Sequence, residues 1–143
     1  MQKDDIFKAS GLIIRDRKVL VERSAGKEYF IHLGGKVEPG ETVKQALVRE
    51  LREEISIDVA EDDLEFFDKN SAPAINSPEI NVHMEVFIVK KWQGEIIPDS
   101  EVEEVRWINS SVPADTKLGS IMEHETLPKL KTCLLYTSDA ADE

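Results

Sequence analysis

Residues 34–57 read GGKVEPGETVKQALVRELREEISI. Near the end of this stretch, Arg49-Glu50-Leu51-Arg52-Glu53-Glu54 places carboxylates at i, i+3 and i+4, positions that neighbour one another on a helix. Gly34-Gly35 and a further acid, Glu41, lie just upstream. Carboxylates gathered this tightly repel one another unless a cation sits among them. The pattern therefore predicts a divalent-metal site, and a metal beside a glycine turn points to phosphate chemistry.

Thr42 followed three residues later by Gln45 fits a capping box, so the helix is expected to begin at Val43. At about 100° per residue, Val43, Leu47, Leu51 and Ile55 form one apolar stripe, widened by Ala46 and Val48. Glu50 and Glu53 fall on a margin of that stripe, whereas Glu54 falls inside it. A solvated acidic face, paired to Arg49 and Arg52, is the alternative to a metal site. The bearing of Glu54 argues against it, because a buried charge must be paired or coordinate a metal. Arg49 sits one turn before Glu53 and is expected to orient that side chain.

The spacing of Gly35, Glu41, Arg49 to Glu54 and Ser56-Ile57 resembles the Nudix box of the Nudix hydrolase family, with every charged position present. The likeness in strand order and hydrophobic rhythm extends over residues 4–132. Two positions depart from the family pattern: Ser56 stands where the family has glycine, and Leu33 where many members have proline. A non-glycine residue in the left-handed conformation at the helix end costs on the order of 1 kcal/mol. The resemblance implies an α+β fold, a Nudix-type α/β/α sandwich with a mixed central sheet, over a domain of residues 1–132.

The same resemblance implies hydrolysis of a phosphoric anhydride in a nucleoside diphosphate linked to another group. The Gly34 carbonyl, Glu50, Glu53 and Glu54 are the implied ligands of Mg2+ or Mn2+, and Glu41 the implied support of the loop and helix start. Lacking side chains, Gly34 and Gly35 let backbone approach both metal and pyrophosphate. Lys36 either reaches a phosphate or faces solvent. The general base stays open between Glu53 and the later run SEVEEVRW at residues 100–107, which holds Glu101, Glu103 and Glu104. Glu101 is preferred there, because Glu104 starts the strand.

Three substrate readings remain. An ordinary or oxidised (d)NTP, cleaved to the monophosphate and pyrophosphate, comes first. ADP-ribose or another nucleotide sugar comes second, with Pro73 in slight support. A non-catalytic nucleotide-binding domain comes third, and the intact set of box glutamates argues against it. His32 and His83 are positioned to line a base pocket or to serve the fold, and with His124 they lack zinc-type ligand spacing. Phe30, Phe87, Trp92 and Trp107 read as core or core-edge rings, one of which is free to stack on a base.

Composition bounds the rest. At 143 residues the chain is one domain with room for a core. No apolar run reaches the length of a membrane span, and residues 1–8 lack the apolar region of a signal peptide; a cytoplasmic monomer or homodimer is expected. A formal charge of −11 argues against a nucleic-acid polymer as partner, but not against a small nucleotide bound with metal. Residues 133–143, CLLYTSDAADE, resemble a translated sequencing adapter and are read as a non-native tail; without its three acids the charge of −11 becomes −8. The only cysteine, Cys133, falls in that tail, so no thiol chemistry is read from it.

Strands are expected at residues 7–14 and 19–22, joined through Arg15-Asp16-Arg17-Lys18, then at 29–33, 64–68, 80–92 and 102–108. Residues 71–78 read as a loop interrupted by Pro73 and Pro78. A last helix is expected over 121–130, kinked or restarted by Pro128.

Overall fold

The computed structural model describes residues 5–74, 77–109 and 111–132. The tail at 133–143 lies outside the described residues. Strand β1 (Ile6–Leu12) joins β5 (Leu33–Lys36), β7 (Ser77–Val89) and β6 (Leu64–Ala74) in the order β5-β1-β7-β6. The β1–β7 pair is parallel and the other two are antiparallel, which makes the sheet mixed. A second sheet runs β2 (Ile14–Arg15), β3 (Lys18–Ser24) and β8 (Val102–Ile108), and a short parallel pair joins β4 (Tyr29–Phe30) to β9 (Lys117–Leu118).

Two apolar layers lie on opposite sides of these strands. Helix α1 (Val43–Ile55) buries Ala46, Leu47, Leu51 and Ile55 completely, against Ala9, Leu20, Leu33 and Phe87. Each such leucine or isoleucine contributes about 1.5–3 kcal/mol on burial. The other layer packs Val19, Val21, Phe30 and Met84 against Met122, Leu127 and Leu130. Together they make the α/β/α sandwich. Among the described residues, no helix is long and apolar enough to cross a membrane.

The helix begins where the capping box places it: the Gln45 N–H donates to Thr42 Oγ1 (3.1 Å), and the Thr42 N–H to Gln45 Oε1 (2.9 Å). It ends at Ser56, which is left-handed at φ 69° although it is not glycine. Its hydroxyl donates to the Ile97 carbonyl (2.9 Å) and so offsets part of the strain. Ser56→Ala keeps the strain and loses that bond, so urea denaturation should show a loss of about 0.5–1.5 kcal/mol.

Several elements differ from expectation. Residues 71–74 are not loop: β6 continues through them to Ala74. Pro73 is tolerated there because β6 is an edge strand, with a register irregularity between Pro73 and Ala74. The long strand spans Ser77–Val89, not 80–92. The Gly34-Gly35 pair lies inside β5, where Ser10 faces Gly34 and Ala9 faces Gly35, and the chain turns only later, at Pro39-Gly40. In the expected last helix, Met122–Thr126 is a π-helix that passes into α2 (Leu127–Thr132). The Leu127 N–H reaches back to Met122 O, and this wider winding precedes Pro128, which has no N–H to give.

Candidate active site

Two neighbouring glycines allow close approach on either hand, Gly34 to strand β1 and Gly35 to helix α1. Gly34 has φ +123°, and a Cβ there would fall on the Ala9 carbonyl oxygen. A Cβ on Gly35 would lie 2.5 Å from Cδ of Glu50. The Glu50 carboxylate thus occupies the space a side chain at residue 35 would need. The Gly34 N–H donates to Glu54 Oε1 at 3.2 Å. Gly35 and Glu50 are therefore in close approach, and Glu54 is tied to the backbone beside them.

Arg49 ties the helix to the chain before it. Its Nε donates to Glu41 Oε2 (2.6 Å), and Nη2 to Glu41 Oε1 (2.9 Å) and the Lys36 carbonyl (3.0 Å). Nη1 donates to Glu50 Oε2 (2.9 Å) and more loosely to Glu53 Oε1 (3.4 Å). Glu41 also accepts the Glu38 N–H (2.9 Å). Its bonds to Arg49 and Glu38 hold the Glu41 carboxyl down at about 2, and Glu41 and Glu50 in turn raise the Arg49 pKa. Arg49 orients Glu41 and Glu50 more closely than Glu53, the residue it was expected to orient.

On the inner side of α1, Glu54 meets a carboxylate from another element. Glu22 of β3 is 1% exposed, and its side chain comes within hydrogen-bonding reach of Glu54. Burial is the main reason both carboxyls are held above the usual carboxylate range; Glu54 and Glu50 add to the rise at Glu22, and Glu50 to that at Glu54. Lys8 of β1 opposes that rise at Glu22. Its own ammonium is pushed down by burial and by Lys36 across the strand pair, against the pull of Glu54, Glu22 and Glu50.

Lys8 and Lys36 line a cleft of about 680 Å³, together with Ser10, Lys27, His32, Gly34, Gly35, Pro73 and Met122. His32 is buried and bonded through Nε2 to Thr126 Oγ1 (2.8 Å); burial, with Lys8 adding to it, keeps the ring neutral, its pKa near 3. No Phe, Tyr or Trp lines the cleft among the described residues. Trp92 and Trp107 instead flank the Arg15 guanidinium at 5.3 and 5.4 Å, while Phe30 and Phe87 are core. His83 stacks on Phe7 and bonds Asp5, and His124 is exposed beside Glu123, both outside the cleft lining.

The later acids are spread apart. Strand alternation in β8 sends Val105 and Trp107 toward α1 and leaves Glu104 on the opposite face with Arg106. Glu104 pairs with Arg23 (3.2 Å) and Arg106 (2.8 Å), and Glu103 with Arg23 (3.0 Å). Glu101 is exposed, and its carbonyl accepts the Ala25 N–H.

Among the described residues, no three acidic, histidine or cysteine side chains already close a metal cage. Glu50 is turned to Arg49, Glu54 to the Gly34 N–H, and Glu53 is more than half exposed. A cation nevertheless suits the donor set. Oε1 of Glu22 is buried with no hydrogen-bond partner, and two further carboxylates, those of Glu54 and Glu50, adjoin it. Hard oxygen donors of this kind suit Mg2+ or Mn2+. Glu22 and Lys8 are absent from the sequence-based set; the available signal was a charged residue within each of two apolar strand runs.

A family model described as "NUDIX domain" matches residues 6–124. The chain belongs to the Nudix hydrolase family. Curated relatives agree: it is 33% identical over 117 residues to the NAD-capped RNA hydrolase NudC of Pseudomonas aeruginosa, a match covering 79% of this chain and 40% of that protein. It is 40% identical over 63 residues to the 8-oxo-dGTP diphosphatase of Proteus vulgaris, covering 44% of this chain and 52% of that protein. The chain thus spans less than half the length of the NudC relatives it matches. Among solved structures, the E. coli ORF135 protein superposes with a TM-score of 0.69 at 26% identity, over 92% of this chain and 89% of that one. The MutT Nudix hydrolase of Burkholderia pseudomallei shares the fold with a TM-score of 0.72 at 19% identity, over 90% of this chain and 98% of that one.

Proposed function

We propose that this Nudix chain hydrolyses the phosphoric anhydride of a nucleoside diphosphate linked to another group, a (d)NTP or oxidised dNTP first. The observation that carries this reading is the adjacency of acid and base: Glu50 against Gly35, Glu54 on Gly34, and Lys8 and Lys36 on the same cleft. Glu50, Glu53, Glu54 and the Gly34 carbonyl would hold Mg2+. Bound there, the cation lowers the pKa of a coordinated water and neutralises phosphate oxygens.

The chain's own residues do the rest. Lys8 and Lys36 hold the phosphates, and Gly35 lets them approach the backbone. Arg49 fixes the bearing of Glu50. Glu53, exposed and only loosely held by Arg49, takes the proton of the attacking water as its oxygen bonds to phosphorus and the bridging P–O bond breaks. Glu101, in an exposed loop, is the second base to be tested. Glu53→Gln is expected to lower kcat by about 10²–10⁴ with the melting temperature unchanged, and Glu101→Gln to lower it far less. Turnover like wild type in Glu53→Gln would remove that residue from the role.

The half-buried ammonium of Lys8 is suited to a dehydrated phosphate. Lys8→Met keeps the apolar stem and should raise KM about tenfold with a smaller change in kcat, the equivalent of about 1.4 kcal/mol of binding.

A second reading, hydrolysis of a dinucleotide-like diphosphate such as ADP-ribose, is supported by the position of Pro73 on the cleft and by the NudC relatives. The test is product analysis with Mg2+ and a panel of NTPs, 8-oxo-dGTP, ADP-ribose, NADH and dinucleoside polyphosphates. Release of pyrophosphate from a triphosphate supports the first reading, and two monophosphates from ADP-ribose or NADH the second. No product from any of them, with cation bound, favours a binding domain.

A further inference from the structure

Glu22 is held more firmly than a chance acidic residue would be. It faces Val105 across the β3–β8 pair. On the other edge its N–H donates to the Ile31 carbonyl (2.9 Å) and its carbonyl accepts the Ile31 N–H (2.8 Å). Its side chain is buried, and Oε1 has no hydrogen-bond partner. Around it stand Glu54, within hydrogen-bonding reach, Glu50, and the Lys8 ammonium.

That environment does little for the fold. A buried carboxylate that receives no hydrogen bond at one oxygen and faces two others is costly. An apolar side chain of similar size would pack opposite Val105 without the cost. The expense is explained if the free oxygen has a ligand of its own.

We infer that Glu22 supplies a cation-binding oxygen from the strand, completing with Glu50 and Glu54 a site for a divalent cation that takes oxygen ligands, Mg2+ or Mn2+. This rests on the metal-dependent reading proposed above and adds a ligand from outside the helix. One consequence is mechanical. With donors on β3 and α1, the cation crosslinks sheet and helix, so loading it stabilises the folded chain.

The test is Mn2+ titration of wild type, Glu22→Gln and Glu22→Asp, read by calorimetry, by electron paramagnetic resonance of free Mn2+, and by melting temperature with and without cation. Glu22→Gln is expected to bind at least tenfold more weakly or to lose one site, with the cation-induced rise in Tm shrinking to match. Without metal it should melt at or above the wild-type temperature, since the amide takes an acid out of a buried cluster of acids. Glu22→Asp, which keeps the charge, should retain part of the rise. Unchanged affinity, stoichiometry and Tm rise in Glu22→Gln would overturn the inference. So would a metal-free Glu22→Gln melting well below wild type, because the carboxyl would then be serving the fold. If wild type itself takes up no Mn2+, the metal-dependent reading fails too; if wild type binds and Glu22→Gln binds equally, only the role of Glu22 falls.

Discussion

Alanine at Gly34 and alanine at Gly35 are expected to damage this chain in two different ways. At Gly34, φ +123° is open to glycine and strained for any L side chain, and the new Cβ would meet the Ala9 carbonyl, which is backbone of the neighbouring strand. Neither problem is relieved without moving β1 or β5. Gly34→Ala should therefore cost about 3 kcal/mol or more, seen as a fall in melting temperature or as insoluble protein. Gly35 carries no left-handed strain, and its Cβ would meet only the end of the Glu50 side chain, 2.5 Å from Cδ. Glu50 can swing away by giving up its bond to Arg49 (2.9 Å). Gly35→Ala should stay folded and lose about 10² or more in kcat, since displacing a reactive group by an ångström has that effect. Equal loss of stability in the two variants would contradict the division. So would wild-type turnover in Gly35→Ala.

The contrast also shows what could be read from the chain and what could not. Helix α1 was legible because everything that defines it lies within fourteen consecutive residues, Thr42 through Ile55: a capping box, a stripe of period 3.6, and acids on its margin. The left-handed end was legible from the mismatch at Ser56, but its hydrogen bond to Ile97 was not, because the partner lies 41 residues away. β6 was cut short because Ser71, Ala72, Pro73 and Ala74 have loop composition, and only the sheet order reveals an edge on which Pro73 is harmless.

The acidic site divides along the same line. Glu50, Glu53 and Glu54 follow from spacing on one helix. Glu22 and Lys8 reach the site from β3 and β1, and the pairing of Lys8 with Lys36 depends on a strand register that no local pattern specifies. The later acids mislead for the converse reason. Glu103 and Glu104 look like a cluster in sequence, yet Arg23 and Arg106 engage them at distances of 2.8–3.2 Å.

Arg49 connects the two halves of the site, and its removal should have the broadest effect. One guanidinium joins Glu41, Glu50 and the Lys36 carbonyl through bonds of 2.6–3.0 Å and reaches Glu53 at 3.4 Å. No other side chain offers five donors in a rigid planar fork. Arg49→Ala is expected to lower kcat by about 10² or more, with Arg49→Lys recovering little of it, because an ammonium cannot span the same acceptors. A pH titration separates this positioning role from simple charge. The Glu41 carboxyl is held at about 2 against an ordinary value of 4.5. A depressed carboxylate stabilises the fold above the unfolded value and loses that contribution as pH falls through the folded one. Wild type should therefore keep Glu41's share of stability until the pH falls below about 4.5 and lose it on the way down to about 2. In Arg49→Ala that share is small at every pH, so acid unfolding should begin at a higher pH than in wild type. Full recovery of turnover and of acid resistance by Arg49→Lys would show that a positive charge alone suffices there, and that the fork of bonds does not position Glu50.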